Sequence, residues 1–204
     1  MAYADFTLDK VLQQFHLRYA AANLFPGLEP VAAPPDWLAP TLARGRQTAT
    51  TSEKARSEFI VAPILLAVKE LTGDAIAIFS GERLSVDRES GLDGECDYIL
   101  SHVERAYPVL SVIEKPVLCL VEAKKNDIEA GLRQCAAQMI GARAWNARDT
   151  PEGTPPRTVY GCVTTGETWQ FLRLEPGDVL TLDETRFYGN DLARILAALL
   201  VCCV

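Results

Sequence analysis

Val117-Leu118-Cys119-Leu120-Val121-Glu122-Ala123-Lys124-Lys125 is the stretch whose reading decides the fold. Five apolar residues run directly into a carboxylate, a small residue and an ammonium. The run is short, rich in branched side chains and preceded by Pro116, which reads as a buried strand. Side chains alternate along a strand, so Glu122 and Lys124 point to one face while Val121 and Ala123 point into the other layer. An acid and a base therefore emerge together at the C-terminal end of a core strand, where open α/β sheets tend to bind ligands. The competing reading is an exposed strand-end ion pair that contributes little.

Downstream, Asn126 or Asp127 is expected to cap a helix over 126–145, with Ile128, Leu132, Cys135, Ala136, Met139 and Ile140 as its apolar face. A Pro/Gly loop follows at 150–156. Segments 158–164 and 169–174 read as a hairpin about Thr165-Gly166-Glu167, and 179–182 as an edge strand. Asn190 is expected to cap a last helix over 191–204. Its Ile195, Leu196, Leu199, Leu200 and Val201 leave almost no polar face, so it must be covered by the domain or by a second subunit in a homodimer.

Upstream, strands are expected at 75–79, 84–86, 96–100 and 109–113, with Ser80-Gly81 as a turn and 91–94 as a loop. Ser52, followed by Glu53, is the expected cap of a helix ending near Thr72-Gly73, with Pro63 kinking it or marking its true start. Five prolines make 26–40 a connector without regular structure. Leu8, Val11, Leu12, Phe15 and Tyr19 mark a first helix, opened at Thr7 and reaching about Asn23. The fold class is α/β, a mixed central sheet flanked by helices. It comprises one domain over 46–204, preceded by an N-terminal helix and Pro-rich connector over 1–45.

The 204 residues suffice for one sizeable core. A net charge of -7 announces no overall basic field for nucleic acid. None of the six cysteines has zinc-ligand spacing, and most sit in apolar runs, as in a reducing compartment. The start lacks the pattern of a signal peptide, and the longest apolar run, 195–204, is too short to span a bilayer. A cytoplasmic protein is expected, with no membrane association.

Two further acids give the Glu122–Lys124 pair chemical meaning. Asp97 lies within a strand, where a carboxylate is costly unless it has a partner. Glu58 lies on the helix opened by Ser52, with Glu53 as the competing choice. Carboxylates converging on one point suit a hard divalent cation such as magnesium, which binds oxygen and keeps several waters. A nearby ammonium is suited to orienting an attacking water and to neutralising charge on a phosphorane.

In Glu58, Asp97 and Glu122-Ala123-Lys124 the chain resembles the PD-(D/E)XK nuclease superfamily, with the flavour of restriction-type, including type I restriction subunit, and RecB-like members. Gly94-Glu95-Cys96-Asp97 resembles their Gly-x-x-Asp form. Gln134 matches the Gln of their Gln-x-x-x-Tyr, while the Tyr position here is Gln138; the two share a helix face. The resemblance covers residues 52–174. It implies a restriction endonuclease-like core that hydrolyses nucleic acid, DNA above all, with Mg2+ or Mn2+. Glu58, Asp97 and Glu122 would be metal ligands, Lys124 the residue orienting water, and Gln134 the group positioning Lys124 or the substrate. The alternative is an accessory or regulatory protein that keeps this fold without catalysis and binds nucleic acid or a protein partner.

Overall fold

The structure, a computed structural model, describes residues 2–48, 51–103, 113–148, 150–151 and 153–203. Its central element is the strand Val117–Ala123 (β4), every residue of which is buried. The elements before it are α1 (Leu8–Gln14), β1 (Arg18–Ala22), α2 (Leu38–Gln47), α3 (Glu53–Arg56), a π turn over Ser57–Val61, α4 (Ala62–Leu71), β2 (Ile76–Asp87) and β3 (Leu92–His102). After it come α5 (Ile128–Ala147), β5 (Val159–Thr164), β6 (Thr168–Glu175), β7 (Val179–Tyr188) and α6 (Leu192–Cys202).

Among the described residues the strands form one seven-stranded mixed sheet in the order β1-β7-β6-β5-β4-β3-β2. The pairs β1–β7 and β4–β5 are parallel and the others antiparallel. The parallel β4–β5 pair needs a crossover, which α5 supplies. Helices cover both faces. Leu120, Ile99 and Val163 pack with Cys135, Ala136 and Met139 of α5, together with Tyr3, Phe6 and Val11 near the N-terminus. Cys119, Val121, Tyr98 and Phe171 pack on the other side with Leu42 of α2, Ile64 and Leu65 of α4, and Leu196 and Leu199 of α6.

Several elements differ from the expectation. The first helix stops at Gln14, and His16 adopts φ +53, which no continuing helix tolerates. Residues 18–22 then run extended because they pair in parallel with β7, so tertiary pairing overrides the local helical pattern. Strand β7 is therefore interior and longer than expected, and β1 holds the edge. The proline-rich connector ends in a helix, α2, which carries Pro40 in its first turn, where the missing N–H costs nothing.

Ser80-Gly81 is not a turn. The strand continues through it, with Gly81 at φ +68 as a local irregularity inside β2. The loop expected at 91–94 is largely strand, since β3 begins at Leu92. The expected strand at 109–113 lies, apart from Ile113, outside the described residues.

Ser52 caps α3 through its hydroxyl, which accepts from the Ala55 amide at 3.0 Å. Pro63 falls in the first turn of α4, directly after the π turn. Asp127 caps α5, its carboxylate accepting from the Ala130 amide at 2.8 Å. The apolar α6 is covered by its own chain: Ile195, Leu196, Ala198 and Leu199 are fully buried, and Val201 stays exposed. No helix among the described residues is long and apolar enough to cross a membrane.

Candidate active site

The C-terminal end of β4 brings Glu122 and Lys124 to the face that α5 covers. The Lys124 ammonium donates to Glu122 Oε1 at 2.6 Å and to Gln134 Oε1 at 3.3 Å. Gln138, one turn further along α5, donates to Glu122 Oε2 at 2.8 Å. The helix comes this close because Gly131 has no side chain: a Cβ there would stand 3.0 Å from Lys124 Cγ and run into Val163. The Lys124 amide donates to Thr164 O at 2.7 Å, which fixes the strand end against β5.

Asp97 enters from β3. It sits where the β2–β3 ladder is interrupted, between the pairs Ser80–Tyr98 and Glu82–Cys96 and opposite the irregular Gly81. Asp97 Oδ2 accepts from the Ala123 amide at 2.7 Å, so this carboxylate closes over the end of β4. The sequence left it open whether a carboxylate inside a strand had a partner; the Ala123 amide is that partner.

The helical acid nearest the pair is Glu53. Its Oε2 accepts from the Lys125 amide at 3.1 Å, and its Oε1 stands 4.0 Å from the Lys124 ammonium. Glu58, the acid chosen from sequence, is half exposed and stands 3.8 Å from Lys54 on its own helix. Glu53 and Glu58 are five residues apart, ~140° around a helix, so the two cannot both face the strand end, and Glu58 keeps ordinary i,i+4 spacing to Lys54. Tyr98 ties the π turn to the sheet, sharing a 2.6 Å hydrogen bond with Ser57 Oγ and donating to Ser57 O at 2.9 Å.

Glu53, Glu58, Glu95 and Asp97 line a cleft of about 420 Å³, together with Tyr98 and Ala123. Glu122 is not among the residues that line it and is only 1 % exposed. Structure thus brings Asp97, Glu122, Lys124 and Gln134 together, and places Glu58 on the cleft wall. Sequence reasoning named Gln138 only as a departure from a tyrosine and weighed Glu53 as second choice. Both touch the pair or the strand end that carries it. The shared helix face of Gln134 and Gln138 was the signal available for Gln138.

The electrostatics are those of crowded acids. Burial pushes the Glu122 carboxyl up to about 7, and the neighbouring Asp97 charge adds to this; Lys124 and Gln138 pull the other way without winning. Asp97 is raised as well, chiefly by burial, against the Ala123 amide and Lys124. Burial disfavours the Lys124 ammonium, but the Glu122 carboxylate beside it outweighs this and leaves the pKa raised. Desolvation thus outweighs pairing for the acid and not for the base, because Glu122 is the more deeply buried partner. A cation in the cleft would relieve that cost.

Among the described residues no three side chains of His, Cys, Asp or Glu gather into a ready-made ligand set. The cleft also holds Lys54, an ammonium that cannot ligate a metal, and its remaining side-chain polar groups are oxygens, with Asp97 engaged through one carboxylate oxygen. That chemistry fits magnesium or manganese, which take oxygen ligands; magnesium typically uses only one or two carboxylates and completes its shell with water. Compared with protein-family models and with curated proteins, the chain matches none.

Proposed function

We propose that the chain is a metal-dependent nuclease of the PD-(D/E)XK kind, hydrolysing phosphodiesters of nucleic acid, DNA in the first instance. The observation that carries this reading is the 2.6 Å contact between Lys124 and the buried Glu122 at the end of β4, with Asp97 closing over that strand end. A structural ion pair has no need of the acid-lined cleft beside it, and surface pairs rarely justify burial of a carboxylate. The six free, buried cysteines suit a reducing cytoplasm, which is where we place the protein.

Asp97 and Glu122 would hold one Mg2+ or Mn2+, with Glu53 or Glu58 completing the acid wall. When bound there, such an ion would supply a water of lowered pKa and a counter-charge for a phosphate oxygen. Lys124 orients the attacking water and offsets the negative charge that builds up on the phosphate. Gln134 holds the ammonium through its 3.3 Å hydrogen bond and thereby aims it. Gln138 does the same for Glu122, where a tyrosine would stand in the resembling family. A screen over single-stranded, double-stranded and branched nucleic acids with magnesium or manganese tests the reading. Metal-dependent cleavage that Asp97→Asn abolishes supports it.

A second reading has its own support: both oxygens of Glu122 are already engaged, by Lys124 and Gln138. A non-catalytic protein that keeps this arrangement and binds nucleic acid or a protein partner would need nothing more. Binding of nucleic acid without cleavage, unaffected by metal, would favour it.

A further inference from the structure

We propose that the opposite end of β4 carries an anion site for a phosphate-bearing ligand, formed by Lys115, Arg143, Arg148 and Arg157. The proposal stands independently of the nuclease reading.

These residues come from three places in the chain. Lys115 leads into β4, Arg143 and Arg148 lie at the C-terminal end of α5, and Arg157 lies in the loop that enters β5. With Pro155 and Pro156 they line a cavity of about 470 Å³. That size is within the range of small-molecule sites, roughly 300–1,000 Å³. No described carboxylate lines it. Acids nevertheless stand close by: Asp178 pairs with Arg143, and Glu114, Asp149 and Glu152 are near in sequence. The charged side chains of the described lining are all cations, in a chain of net charge -7.

The cations are held in place. Lys115 Nζ donates to Arg148 O at 2.8 Å, and the Arg148 guanidinium donates to Val86 O at 2.7 Å. Both cations stand over the Trp145 ring, at 5.4 Å and 4.8 Å from its centroid. Arg143 pairs with Asp178 at 2.8 Å. Favourable charge at a helix C-terminus accounts for Lys115 and Arg148. It does not account for Arg157, which lies well beyond the last turn of α5, is exposed, and has no ion pair or hydrogen bond among the described residues.

A guanidinium offers five N–H donors, so Arg148 and Arg157 together retain enough to bind phosphate oxygens by fork-like pairs. The phosphate has two possible sources, a free phosphorylated metabolite or the backbone of a nucleic acid. Gln134 and Asn146 on α5 are about 18 Å apart along the helix axis. A nucleic acid bridging the two ends would therefore span roughly five base steps.

The test uses the full-length protein without metal, at low salt. Inorganic pyrophosphate is titrated by calorimetry, with tryptophan emission as a second readout, and a 16-nucleotide single-stranded DNA is used as competitor. Saturable pyrophosphate binding is expected, weakened at least tenfold by Arg157→Glu and unchanged by Lys124→Ala. Competition by the DNA identifies the backbone as the source, and its absence identifies a free phosphate ligand; both support the site. Melting curves check that Arg157→Glu folds, with Arg157→Gln as the milder variant. No saturable binding, binding unaffected by either Arg157 variant, or binding lost in Lys124→Ala would overturn the proposal.

Discussion

The two ends of β4 are built from opposite materials. At its C-terminal end, acids crowd about one lysine: buried Glu122, partly buried Asp97 and exposed Glu53 all lie within reach of Lys124 or its strand. At its N-terminal end, Lys115 and three arginines line a cavity without a described acid. The acid end holds its charges at a cost, because burial works against both carboxylates. The basic end holds its charges on exposed Arg148 and Arg157 and on partly buried Lys115 and Arg143, backed by carbonyls, an aromatic ring and, for Arg143, the Asp178 carboxylate. A seven-residue strand, fully buried between them, separates the end where we propose a cation from the end where we propose an anion. Net charge therefore says little about local charge, because the fold sorts acids to one end of the strand and bases to the other.

The largest effects are expected at the acid end. Asp97→Asn or Glu122→Gln removes ligand charge and should abolish both metal binding and cleavage, read by calorimetry with manganese and by product formation. Lys124→Ala should leave metal binding intact and cut the rate by ~10²–10³, the usual size of one lost electrostatic stabiliser. Equal loss of metal binding in Lys124→Ala would erase the distinction between ligand and positioning roles.

Stability comes next. Lys124→Met leaves Glu122 buried without its main counter-charge and should cost ~3 kcal/mol at pH 8, the low end for breaking a buried pair. The cost should shrink at pH 5.5, where Glu122 is protonated. Urea melts at the two pH values test this, and a cost independent of pH would contradict it.

A smaller effect follows in the wild type without metal. The folded Glu122 carboxyl is raised to about 7, above an unfolded value near ~4.3. The native state therefore binds the extra proton between those values. Its contribution to stability is complete below the unfolded value and is lost as pH rises through about 7. Melting temperature should rise as pH falls from 8 to 5.5, and Glu122→Gln should flatten that slope. A slope of the opposite sign, or one kept by the variant, would mean that another group governs this window.

The smallest contrast separates the two helical acids. Glu53→Gln should reduce activity more than Glu58→Gln, because Glu53 reaches the Lys125 amide and Lys124 while Glu58 faces Lys54. The reverse order would restore the choice made from sequence.

That choice shows where sequence stops being legible. β4 was readable because a proline, an apolar run and a charged end leave few alternatives. α5 was readable from the Asp127 cap and its stripe, and the spacing of Gln134 and Gln138 put both on the face that reaches the Glu122–Lys124 pair. The π turn was not readable. It leaves no compositional mark, and the choice between Glu53 and Glu58 depends on how the helix start docks on the end of β4, which only tertiary contact fixes. β1 was hidden because its partner β7 lies more than 150 residues away, and Arg18-Tyr19-Ala20-Ala21-Ala22 carries no strand pattern of its own. The irregularity at Gly81 read as a turn for the opposite reason: glycine marks both, and only pairing with β3 tells them apart. The basic cavity draws on Lys115, Arg143, Arg148 and Arg157, which no local motif connects.

The most direct test of the central claim is cleavage of end-labelled nucleic acids by the purified full-length chain, with magnesium or manganese. Single-stranded, double-stranded and branched substrates are each used, beside Asp97→Asn and Lys124→Ala. Products are expected that require the metal, are absent with Asp97→Asn and form ~10²–10³-fold more slowly with Lys124→Ala. Intact substrates under every condition, with no rise in melting temperature on adding either metal, would contradict it.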